Sequence, residues 1–174
     1  PGRRSRVFDL SDGVGNLEFN RHASLALAGR LYFGGITGLT LFRPDEIREN
    51  PHVPPVVLTH LGLLGDAGER VLRPPLAGLL ELGPGDQVLT FGFVALNYTQ
   101  PARNRYRYLL EGFDPGWVES FSRTARYTRL PPGRYRFRVQ GSNNDGLWNE
   151  TPVSFELVLR PFFWQTRWFA ATSA

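Results

Sequence analysis

The chain reads as an all-β protein, an antiparallel β-sandwich preceded by a smaller strand-and-turn segment. Three observations lead there. Residues 105–111 place Tyr106, Tyr108 and Leu110 on one face and Arg105, Arg107 and Leu109 on the other. Residues 133–140 repeat the pattern, with Tyr135, Phe137 and Val139 against Arg134, Arg136, Arg138 and Gln140. Period-two alternation of this kind marks half-buried antiparallel strands. The 19 glycines and 14 prolines suit a chain that turns often. A content of 41% hydrophobic and 13% aromatic residues is enough for a core and argues against disorder. The 174 residues accommodate one domain plus a fragment, or two small domains.

Taken in order, residues 6–10, 23–27, 30–34 and 39–42 are short strands bounded by Gly, Asp or Asn, with a hairpin turn at Ala28-Gly29-Arg30. Four short strands at this spacing suit one blade of a β-propeller, so residues 1–52 are expected to be a propeller fragment. One blade cannot close a ring, and its edges need covering. Residues 43–55 are the junction. Pro44-Asp45 starts a short helical turn, and Pro51, Pro54 and Pro55 then impose a stiff, extended link.

The second domain, residues 53–161, opens with a strand at 56–64. Short edge strands follow at 70–73 and 79–82, around the Pro74-Pro75 break. Residues 87–95 alternate Leu89, Phe91, Phe93 and Ala95 against Val88, Thr90, Gly92 and Val94, with the phenylalanine face toward the core. Asp114-Pro115-Gly116 fits a type II turn, and Trp117 is expected to cap the core. Strands at 126–130, 133–140 and Val153–Leu159 bring the count to roughly seven or eight, which suggests an immunoglobulin-like or fibronectin-like sandwich. Leu-Pro-Pro-Gly-Arg-Tyr at 130–135 has the form of a tyrosine corner, so the Tyr135 hydroxyl is expected to bond main chain near Leu130.

Little here looks like chemistry. There is no cysteine, and no Gly-x-Ser-x-Gly elbow occurs. His22, His52 and His60 are scattered and lack metal-ligand spacing, and none lies in the strand region at 105–148. Glu111, Asp114 and Glu119 flank a turn and are read as exposed rather than as a glycosidase pair. Asn143-Asn144-Asp145-Gly146 could offer hard oxygen ligands, but a turn rich in left-handed conformers explains it better. Gly-Gly-Ile-Thr-Gly at 34–38 lacks the helix that a phosphate loop needs. The reading is therefore no catalytic residue, no metal and no cofactor. The net charge is only +4, and every basic residue is arginine, a bias expected of a GC-rich genome. The arginine face is read as solvated and not as a nucleic-acid stripe. Trp117, Trp148, Phe162, Trp164 and Trp168 could form a sugar-stacking platform.

The C-terminal segment, 162–174, packs Phe163, Trp164, Trp168 and Phe169 around one arginine, a composition typical of membrane interfaces. A span needs about 20 apolar residues. The segment is thus expected to be the juxtamembrane start of a truncated transmembrane helix. Residue 1 is proline and methionine is absent, so the chain is expected to be a piece of a longer protein.

Tyr106 in NRYRYLLEGFD, Tyr127 in ARYTRLPPG and Tyr135 in GRYRFRVQGSNNDG resemble the namesake residues of the triple-tyrosine (Y_Y_Y) domain. Gly112 and Trp117 in EGFDPGW, Pro132 and Gly133 in LPPGRY, and Asn143, Gly146 and Trp148 in SNNDGLW match that pattern in order. GRLYFGGITGLTLFRPDEI resembles the last blade of a regulator β-propeller. The resemblance implies a non-catalytic extracytoplasmic segment of a bacterial two-component sensor, on the outer side of the inner membrane. It implies that the signature residues are structural, and that a propeller upstream meets a small-molecule or glycan ligand. It also implies a transmembrane helix downstream, a histidine kinase or diguanylate cyclase output, and a homodimer, because two membrane helices must move relative to each other. The alternative is a surface carbohydrate-binding or adhesion module.

Overall fold

The structure, a computed structural model, describes residues 7–74 and 79–162. Apart from short 3-10 turns, its regular elements are strands, and the chain divides into two compact units, Pro1–Glu49 and Asn50–Ala174. The juxtamembrane residues Phe163, Trp164, Trp168 and Phe169 lie outside the described residues.

The first unit is an antiparallel sheet of β1 (Phe19–Leu27), β2 (Arg30–Gly35) and β3 (Gly38–Phe42). Ala28 (φ 50°) and Gly29 (φ 74°) both take left-handed conformations between paired Leu27 and Arg30, as a two-residue hairpin requires. Phe33 packs against Phe19 and Phe42 at centroid distances of 5.6 and 6.0 Å. The strand expected at 6–10 does not form in the described residues, which instead make a 3-10 turn at Leu10–Asp12. Asp12 draws the chain round: its carboxylate accepts the Asp9 amide at 2.9 Å, and its own amide donates to the Asp9 carbonyl at 3.0 Å.

The second unit is a sandwich of two sheets. One carries, in order, β10 (Thr124–Thr128), β7 (Asp86–Ala95), β4 (Val56–Gly65) and β5 (Gly68–Leu72). The other carries β6 (Leu80–Leu82), β12 (Val153–Leu159), β11 (Gly133–Gly141), β8 (Tyr106–Glu111) and β9 (Val118–Ser120). Every pairing is antiparallel except β6 with β12. The alternation read from the sequence sets the core: Leu89, Phe91 and Phe93 of β7 face Tyr106, Leu110, Phe137 and Val139 of the opposite sheet, all buried. Phe91 lies flat on Phe137 at 4.0 Å between centroids, and Phe93 tilts against Tyr106 at 5.3 Å.

Two local readings change. Gly116 has no positive φ, so Asp114-Pro115-Gly116 is not a type II turn; Gly112 takes the left-handed backbone instead (φ 95°). The chain reverses one step earlier, where the amides of Phe113 and Asp114 both donate to the Leu110 carbonyl, at 3.0 and 2.9 Å. Trp117 does not cap the core. It is 39% exposed, on the outer face of the five-stranded sheet beside Arg107 and Arg138.

Phe137 is fully buried and stacked on the opposite sheet, so Phe137→Ala is expected to destabilise the fold by about 3–5 kcal/mol. Urea unfolding followed by fluorescence measures this; a cost below about 1 kcal/mol would mean the two sheets do not depend on that stack.

Candidate functional site

The three signature tyrosines are one device used three times. Each ring sits in the core with 1–6% exposure, and each hydroxyl meets a partner. Tyr106 Oη accepts the Ala95 amide at 3.2 Å, tying β8 to the end of β7. Tyr127 Oη donates to Asp114 Oδ2 at 2.6 Å, and the same oxygen accepts the Leu110 amide at 2.7 Å. Asp114 is therefore a half-buried turn anchor, where the sequence suggested exposure. Tyr135 Oη donates to the Pro131 carbonyl at 2.6 Å, one residue beyond the expected Leu130. Burial pushes the Tyr127 phenol well above its ordinary value, helped by its bond to Asp114; burial also raises Tyr135 and Tyr108. Gly112 is needed beside them for a second reason: a Cβ there would lie 3.2 Å from the Arg134 carbonyl oxygen and 3.2 Å from Tyr135. Gly133 is under no such pressure, since its Cβ would make ordinary contact with the Tyr135 ring, and Pro132 beside it is exposed.

The most organised polar site lies where the chain enters the sandwich. Residues 50–55 contain Pro51, Pro54 and Pro55, which have no amide hydrogen to give to a sheet. Their segment can be held mainly through its carbonyls, and asparagine side chains hold it. Asn143 Nδ2 donates to the carbonyls of Asn50 (2.7 Å) and His52 (2.9 Å), and Asn149 Nδ2 donates to Pro54 (3.0 Å). The Leu96 amide takes the Pro55 carbonyl at 2.8 Å. In return the Asn50 amide donates to Asp145 Oδ2 at 2.7 Å, and its side chain donates to Asn144 Oδ1 (2.8 Å) and Asn97 Oδ1 (3.1 Å). Asn97 donates on to Asn104 at 2.8 Å, and Asn104 closes onto the Asn97 carbonyl at 3.2 Å.

Asn143 is the hub. It is fully buried, and its Oδ1 accepts the amides of Asp145 and Leu147, both at 3.0 Å. The loop it shapes needs Gly146 at φ 82°. Thus 143–146 is a turn, although Gly146 is its one left-handed residue and the side chains face inward. Among the described residues no group of three or more His, Cys, Asp or Glu could hold a metal. The boundary between the two units falls at Glu49/Asn50, so the 52/53 boundary expected from the sequence lies within this strap.

The outer face of the five-stranded sheet is a lattice of paired charges. Arg107 donates to Gln140 (2.6 Å) and Glu150 (2.9 Å), Arg138 to Glu111 (2.8 Å), and Arg136 to Glu156 (3.1 Å). The Arg136 guanidinium holds the exposed Glu156 carboxyl below its usual range. Trp148 lies against Arg107 (4.8 Å) and Arg105 (5.9 Å), and Trp117 against Arg138 (5.4 Å) and Arg107 (5.7 Å). A sugar platform needs open indole faces, and here each ring is shared by two guanidinium groups.

The strand expected at 56–64 contains His60, and the structure keeps it there, while His22 falls one residue before the strand expected at 23–27. His60 lies inside β4, and His22 inside β1 with a left-handed backbone (φ 64°). The His60 ring folds over Gly92, where a Cβ would come within 2.3 Å of Nδ1, and it shares a 3.0 Å hydrogen bond with Thr59 Oγ1. Asn50, Asn97, Asn104 and Asn149 were missed as a group. Asn97 and Asn104 each sit two residues outside a strand end, while Asn50 and Asn149 carry no such signal.

Residues 97–159 match the Y_Y_Y domain family. The match begins after β7, so the four-stranded sheet lies largely outside it. Histidine kinase P4 of Formosa agariphila is 28% identical over 170 residues, which cover 93% of this chain and 12% of that protein. The extracellular domain of BT3049 from B. thetaiotaomicron, assigned to a hybrid two-component system, superposes with a TM-score of 0.76 at 26% identity, over 88% of this chain and 22% of that one. The extracellular domain of BT4673 from the same organism shares the fold, with a TM-score of 0.52 at 22% identity, over 79% of this chain and 19% of that one. The chain thus spans less than a quarter of each of these relatives.

Two outcomes are expected. Asn143→Ala strands two carbonyls and two amides in a buried site and should cost about 3 kcal/mol in urea unfolding. Asn143→Asp should cost at least as much, since it sets an anion against two carbonyl oxygens; an Asp variant as stable as wild type would overturn this account. The second concerns pH. The Tyr127 phenol ionises near 10.0 when unfolded and higher when folded. Its stabilisation is therefore intact below pH 10 and is lost as pH rises through the folded value, because only the unfolded chain has released its proton. Tyr127→Phe should be less stable at neutral pH and show a shallower alkaline decline. An unchanged slope would assign the decline to Tyr108 and Tyr135 alone.

Proposed function

We propose that this chain is the membrane-proximal, extracytoplasmic part of a two-component sensor, a non-catalytic segment that carries ligand state toward a transmembrane helix. One observation carries the reading: the strap at 50–55 is fixed by buried amides to the loop that continues β11. β11 has nine residues, about 30 Å of strand. Its Gly141 end adjoins that loop, and its Gly133 end pairs with Leu159, the last residue of β12. The strap and the end of β12 are therefore joined by one stiff strand pair.

The likeness to the BT3049 extracellular domain and to histidine kinase P4 supports the sensor class and the extracytoplasmic location. In this reading residues 1–52 are the last blade of a β-propeller that meets a small-molecule or glycan ligand. A three-stranded meander beside an apolar cavity of about 370 Å³, lined by Phe8, Phe19, Phe33 and Ile47 among others, supports a neighbouring blade. Residues 53–161 are the relay, and 162–174 lead to the membrane. Among the described residues no helix is long and apolar enough to cross a membrane. The output is a histidine kinase or diguanylate cyclase, and two copies act together.

The test is the output of the parent protein in membrane vesicles, read as ATP-dependent phosphorylation or as cyclic dinucleotide synthesis from GTP, comparing wild type with Asn149→Ala, which frees the strap at Pro54 and spares the Asn143 hub. A relay predicts a basal level shifted by about fivefold or more, the low end of coupling between sites. An unchanged level in a folded variant would make the domain a passive spacer.

A further inference from the structure

The four-stranded sheet turns a very different face outward. Within its strands the ionisable residues on that face are His60, Glu69 and Arg126; the rest are small or aliphatic. Pairing aligns them in rows. Arg126, Thr90, Gly62 and Val71 lie side by side across β10, β7, β4 and β5. Thr128, Val88, Leu64 and Glu69 form the next row. Gly62 leaves a trough of about 240 Å³, while Leu64 and Val71 stand 44% and 53% exposed. The cation sits on one edge strand and the anion on the other, three strand spacings or roughly 14 Å apart.

We infer that this face packs on the same face of a second copy, about a two-fold axis parallel to the strands between β7 and β4. This deepens the dimer in the proposed function and rests on it. That axis exchanges β10 with β5 and β7 with β4 while keeping each row opposite itself. Thr90 then meets the partner's Gly62, and Val88 meets the partner's Leu64. Arg126 stands over the partner's Val71, one row or about 7 Å from the partner's Glu69, within reach of a long side chain. Symmetry makes each contact twice, as a self-complementary interface requires.

An axis perpendicular to the strands would set Arg126 over β10 of the partner and Glu69 over its β5, pairing like charges or none. The favoured axis preserves strand direction, so both chains leave their sandwiches at the same end. The other would send them to opposite ends. The charge pattern thus selects the arrangement that paired membrane helices need. The arginine-rich face of the other sheet is already paired internally with Glu111, Glu150 and Glu156.

Light scattering and sedimentation of the 174-residue chain across a concentration series test this. Arg126→Glu and Glu69→Arg should each raise the dimer dissociation constant about tenfold or more, and the double swap should restore it. Thr90→Arg, at the centre, should abolish the dimer, and Ser154→Arg on the other sheet should leave it intact. Restoration by the double swap separates this result from misfolding. A dimer indifferent to Arg126→Glu and Thr90→Arg would overturn the assigned face and leave the dimeric relay standing. A strict monomer throughout would overturn both.

Discussion

The sandwich depends on a constraint more than on any one contact: polar groups taken inside must find partners there. Leaving a buried amide or hydroxyl unpaired costs about 1–3 kcal/mol, a large share of the stability of a small domain. The apolar middle around Phe91, Phe93 and Phe137 would form from many sequences. What distinguishes this one is how its tyrosine and asparagine side chains are matched at the margins. The tyrosines are long enough to keep a ring in the core and a hydroxyl at its edge. Each therefore ends at a corner, on the Ala95 amide, on Asp114, or on the Pro131 carbonyl.

The same constraint explains the asparagines. A segment with prolines at 51, 54 and 55 cannot join a ladder as a donor, so its carbonyls must be met from outside. Asparagine suits that task because its short side chain both donates and accepts. Asn143 uses both capacities at once, shaping its own loop through Oδ1 and gripping the strap through Nδ2. The strap is consequently stiff without being part of a sheet. Gly141 shows how tightly this end is built. A Cβ there would lie 2.9 Å from both Ala95 and Val56, so β11 passes close to the strand that the strap feeds.

What could be read from the sequence follows the same division. Strands with strict alternation were legible because burial alone sets their register: Val153–Leu159 forms as expected, and the Phe91/Phe93 face is the core face. Residues whose placement depends on distant partners were not. Gly112 and Gly116 are equally plausible turn glycines by local rules. The Tyr127–Asp114 bond, thirteen residues apart, accompanies the earlier turn, with Gly112 left-handed. Trp117 read as a core cap because it sits beside a turn, as sandwich-capping aromatics do. Arginines from β8 and β11 hold it outside instead, and no local pattern announces that. Asn50 and Asn143 lie more than ninety residues apart, so their bond is invisible until the strands are paired.

The two outer faces then differ for a physical reason. A solvated sheet face is kept from associating by charge, and exposed charge must be either hydrated or paired. The five-stranded sheet carries guanidinium, carboxylate and indole groups in mutual contact, so it presents little that is unmet. The four-stranded sheet carries mainly threonine, valine and glycine outward, with one charge at each margin. The relay proposed above would have to be rigid along its length and able to associate across its width. In that proposal the buried amides and phenols would supply the first property, and the sparsely charged face of the four-stranded sheet the second.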